Sequence, residues 1–287
     1  MKRAYLSFVL WGNMAYDRYD RHEMKRLCVD PYRRALKYLA DHPRFHGHVC
    51  LSGMTFVLLH RYAPDVIETL DTLSQRGQIG IVAGYYAAPH GTCIDGPSAE
   101  AQIEIGANLV RACFDRVEGF FAQENVYHPQ MPGLIDRAGL SWLFLGAQHS
   151  IERPFHVVGL DQTVLPAVPL VTWEHRRPDC LPSPDAFYIA IADFEQVGPE
   201  WFAQGDALVT HWTAAGIETR WSRVQDYLAD PGPLPERMNY TAMRGRGNTD
   251  MARWVSDPKD IALHAQTVTA MTAVTTARAV DAYLAEV

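Results

Sequence analysis

The sequence predicts an α/β fold: a single (β/α)7-type distorted TIM-like barrel with a C-terminal helical segment. Three observations predict it. Short apolar runs alternate with longer amphipathic ones at roughly 25–40 residues per unit, the rhythm of parallel strands joined by crossover helices. Around seven such units occur without a glycine-rich dinucleotide fingerprint, which favours a closed or nearly closed barrel over an open doubly wound sheet. No linker, low-complexity tract or internal repeat divides the 287 residues, so 1–287 reads as one domain. Within it, an irregular insertion falls at about 151–185 and terminal helices at about 257–287.

Taken in order, "AYLSFVL" is the first strand, and "DPYRRALKYLADHP" a helix opened by Asp30-Pro31, with Ala35, Leu36 and Leu39 on one face. "FHGHVCLSG" is the second strand, followed by a helix that Pro64 starts and Gly77 stops. "QIGIVAG" is the third strand, and a long helix begins near Ser98. "EGFFAQE" is the fourth strand, with a helix over "MPGLIDRAG" and a fifth strand at "LSWLFLG". "TVLPAVPLVTW" suggests a hairpin insertion. "AFYIAIADFE" and "DALVTHW" (Asp206–Trp212) both read as strands, and "SRVQDYLAD" as a helix.

Composition narrows the function. Acidic residues outnumber basic ones, 33 to 26, for a formal charge of -7, and no Lys/Arg cluster stands out, so nucleic acid is not an expected partner. The apolar run near the start is too short to span a bilayer and lacks a cleavage site, so neither a membrane nor secretion is expected. The five cysteines are scattered, odd in number and without C-x-x-C spacing, which fits reduced thiols in a cytoplasmic protein. A homo-oligomer stays open.

The chemistry-bearing residues fall where strands stop. In a parallel barrel the loops after the strands build the active face. Glu124 ends the fourth strand, and Asp193 and Glu195 end a later one. The first strand runs into "WGN" with Trp11 and Asn13, the second into Ser52, and the third into "GYYAAPH" with Tyr86 and His90. Each has an ordinary reading as a rim charge, a cap or a packing aromatic; their convergence on one rim points to a pocket.

Those residues carry a resemblance. From Arg44 to Leu145, through "LSGMTF", "RGQIGIVAGYY" and "GFFAQENVYHPQMPGLIDRAG", the chain resembles glycoside hydrolase family 57, which includes 4-α-glucanotransferases, α-amylases and branching enzymes. "AIADFEQVGPEW" is similar to the family's second catalytic segment, and "NTDMARWVSDP" to a late segment with a substrate-side tryptophan, Trp254. The resemblance implies a retaining glycosidase or transglycosidase without cofactor or metal, acting on a small-molecule or oligosaccharide substrate. It makes Glu124 the nucleophile and Asp193 the general acid/base, two carboxylates that such chemistry holds roughly 5–5.5 Å apart. Trp11, Asn13, Ser52, Tyr86, His90, Glu195 and Trp254 would contact the sugar.

Two positions depart from the family. Its first strand ends in His-Gln-Pro, whereas "FVLWGNMAYD" contains no histidine, and the usual Tyr-Glu-Pro after the third strand becomes "YYAAPH", with Ala87 in place of the acid. A compact chain with a rebuilt first subsite suits a small glycoside better than a long glucan. Three other readings remain: a sugar-binding pseudoenzyme, an acid/base enzyme on a sugar-like metabolite, and a metal-dependent deacetylase.

Overall fold

A computed structural model of the chain describes residues 2–14, 21–23, 29–88, 94–146, 151–174, 176–177, 179–230 and 266. The terminal helices expected at 257–287 lie outside the described residues.

Among the described residues there are nine strands and eight α-helical segments: β1 (Arg3–Gly12), a single turn α1 (Arg21–Glu23), α2 (Val29–Asp41), β2 (Gly47–Leu51), α3 (Gly53–Tyr62), α4 (Pro64–Gln75), β3 (Ile79–Ala83), α5 (Gly96–Arg111), β4 (Val117–Phe120), α6 (Met131–Arg137), β5 (Trp142–Gly146), β6 (Phe155–Val158), β7 (Val164–Leu170), β8 (Ala186–Asp193), α7 (Pro199–Ala214), β9 (Glu218–Trp221) and α8 (Val224–Ala229). The sheet runs β6-β7-β5-β4-β3-β2-β1-β8, parallel throughout except for β6, which is antiparallel to β7. β1 changes neighbour along its length: Arg3–Leu6 pair with β9, and Val9–Gly12 with β2.

The fold is therefore the expected α/β arrangement, with one difference. The ladder does not close into a ring. β8, one end of the sheet, touches the far side at a backbone bond from the Ile189 N–H to the Val171 carbonyl, 2.9 Å, just past β7. A hairpin is present, but as β6–β7, whose first strand lies ahead of the expected 163–173, and β7 is also a full member of the sheet, parallel to β5.

"DALVTHW" is a correction: it lies inside α7 and is no strand. Its buried positions, Phe202, Gly205, Leu208 and Trp212, recur at helical spacing, and Pro199 starts the helix immediately after Gly198. A short apolar run gave the strand reading; the longer period decides.

Alternation along the strands sorts side chains into two cores. The outward set, including Leu6, Phe8, Leu10, Val49 and Leu51, packs beneath the helices. The inward set comprises Tyr5, Val9, Trp11, Cys50, Val82, Phe121, Trp142, Phe144, Val168, Phe187 and Ile189. Full burial of each large apolar side chain stabilises the fold by about 1.5–3 kcal/mol. Space inside is shared between large and small residues: a Cβ at Gly119 would overlap the Trp142 ring, and one at Gly80 would lie 2.8 Å from His48 Cδ2.

The N-terminal end of this interior is plugged. Val224, Tyr227 and Leu228 of α8 join the inward cluster, with Tyr227 stacked on Phe187 at 4.7 Å and edge-on to Tyr5 at 4.9 Å. Fully buried His48 accepts the Val224 N–H at Nε2 (3.1 Å), satisfying a donor that the start of α8 would leave orphaned. Accepting there requires a neutral ring. Burial pushes the His48 pKa down to about 4, with Gln225 partly opposing.

Between that value and the ordinary one near 6.5, the unfolded chain binds a proton that the folded chain does not. Stability from this group is therefore complete above about pH 6.5 and lost as pH falls through the window, by about 3 kcal/mol in all. Replacing His48 by Gln should flatten the fall in urea-unfolding free energy between pH 6.5 and 4 relative to wild type; parallel curves would show that His48 does not titrate on unfolding.

Candidate active site

With α8 closing one end, the other end of the interior is bounded by the strand C-termini. Asp193 is the last residue of β8 and pairs in register with Trp11 of β1. Both continue the inward rows, Phe187–Ile189 on one strand and Tyr5–Val9 on the other. Asp193 is half-buried, and Trp11 is 8% exposed. The Trp11 ring meets Phe121 edge-on at 5.0 Å, so an aromatic floor lies next to the carboxylate.

β4 and β8 end alike. Each runs into a single 3₁₀ turn, Gln123–Asn125 after β4 and Phe194–Gln196 after β8, and then into a helix with proline in its first turn. Glu124 and Glu195 occupy the centres of these turns; their side chains lie outside the described atoms. The β4 turn is closed by Asn125 N–H to Ala122 O (3.0 Å), and Asn125 adopts φ 57°, a left-handed conformation that asparagine tolerates better than most residues. The amide oxygens of Gln123 and Asn125 are buried on either side of Glu124, without a hydrogen-bond partner among the described residues. A buried polar pair in that position was not singled out in the sequence.

The β3 exit is clamped from outside. Tyr86 donates its N–H to Gln102 O (3.0 Å), and Ala87 donates its own to Gln102 Oε1 (2.8 Å), both on α5. Met54 of α3 donates to Tyr86 O at 2.7 Å. α5 approaches closely because Gly106 has no side chain; a Cβ there would overlap the Gly84 carbonyl. Tyr86 itself is half-buried on this exit. His90 and Trp254 lie outside the described residues.

The β1 and β2 exits are tied together. Ser52 is fully buried and caps α3, accepting the Thr55 N–H, a contact worth about 1 kcal/mol to a helix start. The same hydroxyl reaches Asn13 Oδ1 at 3.3 Å and Thr55 Oγ1 at 2.8 Å, while the Met14 N–H donates to Thr55 Oγ1 at 2.7 Å. Thr55 was not among the sequence candidates; the buried hydroxyl pair Ser52/Thr55 at a helix start was the signal available.

Two buried groups stay protonated, Cys50 in the interior and Tyr85 in the core beneath the helices. Burial raises the pKa of Cys50, beneath the rim, and of Tyr85 beside Tyr86, so neither supplies an anion at neutral pH. Among the described residues no three His, Cys, Asp or Glu side chains are grouped closely enough to share a metal ion.

The sequence profile of glycosyl hydrolase family 57 matches residues 5–175. An α-amylase of Pyrococcus horikoshii is 25% identical over 126 residues, 44% of this chain and 20% of the relative. The chain thus spans about a fifth of the length of that relative. Among solved structures, 4-alpha-glucanotransferase from Thermococcus litoralis superposes with a TM-score of 0.67 at 17% identity, covering 85% of this chain and 43% of that one. A GH57-type branching enzyme from Pyrococcus horikoshii gives 0.63 at 11% identity, covering 88% and 75%. At these identities the structures show a shared fold.

The clamp on the β3 exit makes a stability prediction. Gly106→Ala should destabilise by about 1–3 kcal/mol, because the new methyl must push the Gly84 backbone aside. Gly84→Ala, whose Cβ would meet Cys50 Sγ at an ordinary 3.4 Å, should cost far less. Denaturant midpoints compare them, and equal costs would contradict the close approach.

Proposed function

Because the chain belongs to glycosyl hydrolase family 57, we propose that it is a retaining glycoside hydrolase or transglycosidase in which Glu124 is the nucleophile and Asp193 the general acid/base. The observation that carries the reading is the placement of the two strand ends. β8 delivers Asp193 inward beside Trp11, and β4, separated from β8 in the sheet by β3, β2 and β1, leads into the turn bearing Glu124. The chemistry asks for the two carboxylates roughly 5–5.5 Å apart, about one sugar ring between them.

The chemistry then runs in two steps. The Glu124 carboxylate attacks the anomeric carbon while protonated Asp193 gives its proton to the departing oxygen, forming a covalent glycosyl-enzyme. Asp193, now a carboxylate, takes a proton from water or a sugar hydroxyl, which displaces Glu124 from the opposite face. Two inversions return the starting anomer. Asp193 must enter the first step protonated and leave it as the carboxylate. Trp11, 8% exposed at the end of β1, offers an aromatic edge for the apolar face of a pyranose, and the proposed substrate is an α-linked glucoside or other small glycoside.

Two predictions test this. Glu124→Ala and Asp193→Ala should each lower kcat by at least about 10³-fold with unchanged melting temperature, across a screen of aryl α- and β-glycosides and malto-oligosaccharides. The first-formed product, followed by proton NMR, should keep the anomeric configuration of the substrate. Wild-type rates in either variant, or an inverted product, would refute the assignment.

A further inference from the structure

Three consecutive residues leaving β1 are each held by the first turn of α3. The Gly12 carbonyl accepts the Ser52 N–H (3.1 Å), Asn13 Oδ1 accepts the Ser52 hydroxyl (3.3 Å), and the Met14 N–H donates to Thr55 Oγ1 (2.7 Å). Gly12 lets the segments touch: a Cβ there would lie 2.5 Å from Leu51 Cδ2 and 2.7 Å from the Tyr32 hydroxyl oxygen. Ser52 and Thr55 are both fully buried, so neither hydroxyl can reach a sugar.

The donors and acceptors set an order. Thr55 Oγ1 receives the Met14 N–H, and Ser52 Oγ receives the Thr55 N–H. Thr55 Oγ1 also lies 2.8 Å from Ser52 Oγ, and when Thr55 gives its own hydroxyl proton to Ser52, the Ser52 proton is left for Asn13 Oδ1, with the amide oxygen facing Ser52. The Asn13 NH₂ is left pointing away, half-exposed and without a partner among the described residues. Asn13 follows directly after β1, two residues beyond Trp11, the register partner of Asp193, so it sits on the rim beside the end of β8.

Building on the glycosidase reading, we propose that Ser52 and Thr55 are positioning residues that lock Asn13 as a donor to a hydroxyl oxygen of the bound glycosyl unit. The contact is uncharged and keeps its sense at any pH where the fold persists. A sugar hydroxyl complements it, accepting from Asn13 while donating to a neighbouring carboxylate. The relay acts at a distance: the hydroxyls touch Asn13, and Asn13 touches the ligand.

Isothermal titration with maltotriose, paired with thermal melts, tests the relay. Asn13→Asp keeps an oxygen for Ser52 and swaps the NH₂ for an oxygen, so maltotriose should bind at least about tenfold more weakly with melting unchanged. Thr55→Val, which removes the acceptor of the Met14 N–H but leaves the Ser52 cap, should weaken binding several-fold, and Thr55→Ser should restore it. Ser52→Ala should add little to Asn13→Asp in the double variant, because both act through one contact.

Binding by Asn13→Asp within twofold of wild type would overturn the proposal, as would Thr55→Ser behaving like Thr55→Val, or no maltotriose binding by the wild type. Failure of the catalytic reading looks different: maltotriose would bind with the same Asn13 dependence, while Glu124→Ala kept its turnover.

Discussion

One constraint organises this molecule: a curled parallel sheet has an interior that must be filled from one end and left open at the other. Period-two alternation sends Tyr5, Val9 and Trp11 inward and Leu6, Phe8 and Leu10 outward along the same strand. The outward row packs under helices. The inward row has only the opposite wall, so aromatics from β4, β5 and β8 fill it, and α8 seals the end where those strands begin. Among the described residues, the polar positions Asn13 and Asp193 thereby lie at the strand C-termini, the end that α8 does not fill.

The plug also explains an ionisable group in the deepest part of the core. A buried histidine costs stability unless its polar atoms are used, and His48 uses Nε2 to receive the first N–H of α8. Gly80 and Gly119 on the neighbouring strands make room for the imidazole and for the Trp142 ring that meets it edge-on at 5.5 Å. The size pattern of the interior, large against absent, is thus set by the polar contact and the plug together. The Asp230 carboxylate, bonded to Tyr5 and Arg3 outside the plug, secures the same end of the sheet.

Much of this was legible in the sequence, for physical reasons. The strands β1 to β5 and β8 are apolar runs with abrupt polar ends, and α2, α4, α5 and α6 carry capping and proline signals that local chemistry dictates. Less was legible where tertiary packing decides. Asp206–Trp212 is apolar enough for a strand, and only the burial of Phe202 and Gly205 upstream fixes its helical phase. β7 contains Pro166 and Pro169, which argue for an insertion, yet it fills a ladder position between β5 and β6. β9 is too short and too polar to signal itself and exists because β1 leaves half an edge open beside β2.

The rim shows the same division more sharply. Asp193 could be placed from its strand alone, because an inward position is a matter of parity. The functions of Ser52 and Gln102 could not, because each side chain serves a backbone segment far from it in sequence: Ser52 holds the exit of β1, and Gln102 the exit of β3. Those exits are consequently built into the packing of α3 and α5 and do not behave as loose loops. Each clamp contributes about 1 kcal/mol as a hydrogen bond, yet it fixes the direction of every side chain on its segment. A substitution in such a helix start therefore alters ligand contacts without touching the ligand. The side-chain atoms free to change specificity without loss of fold are the few that project beyond the clamps, of which the Asn13 amide nitrogen is one.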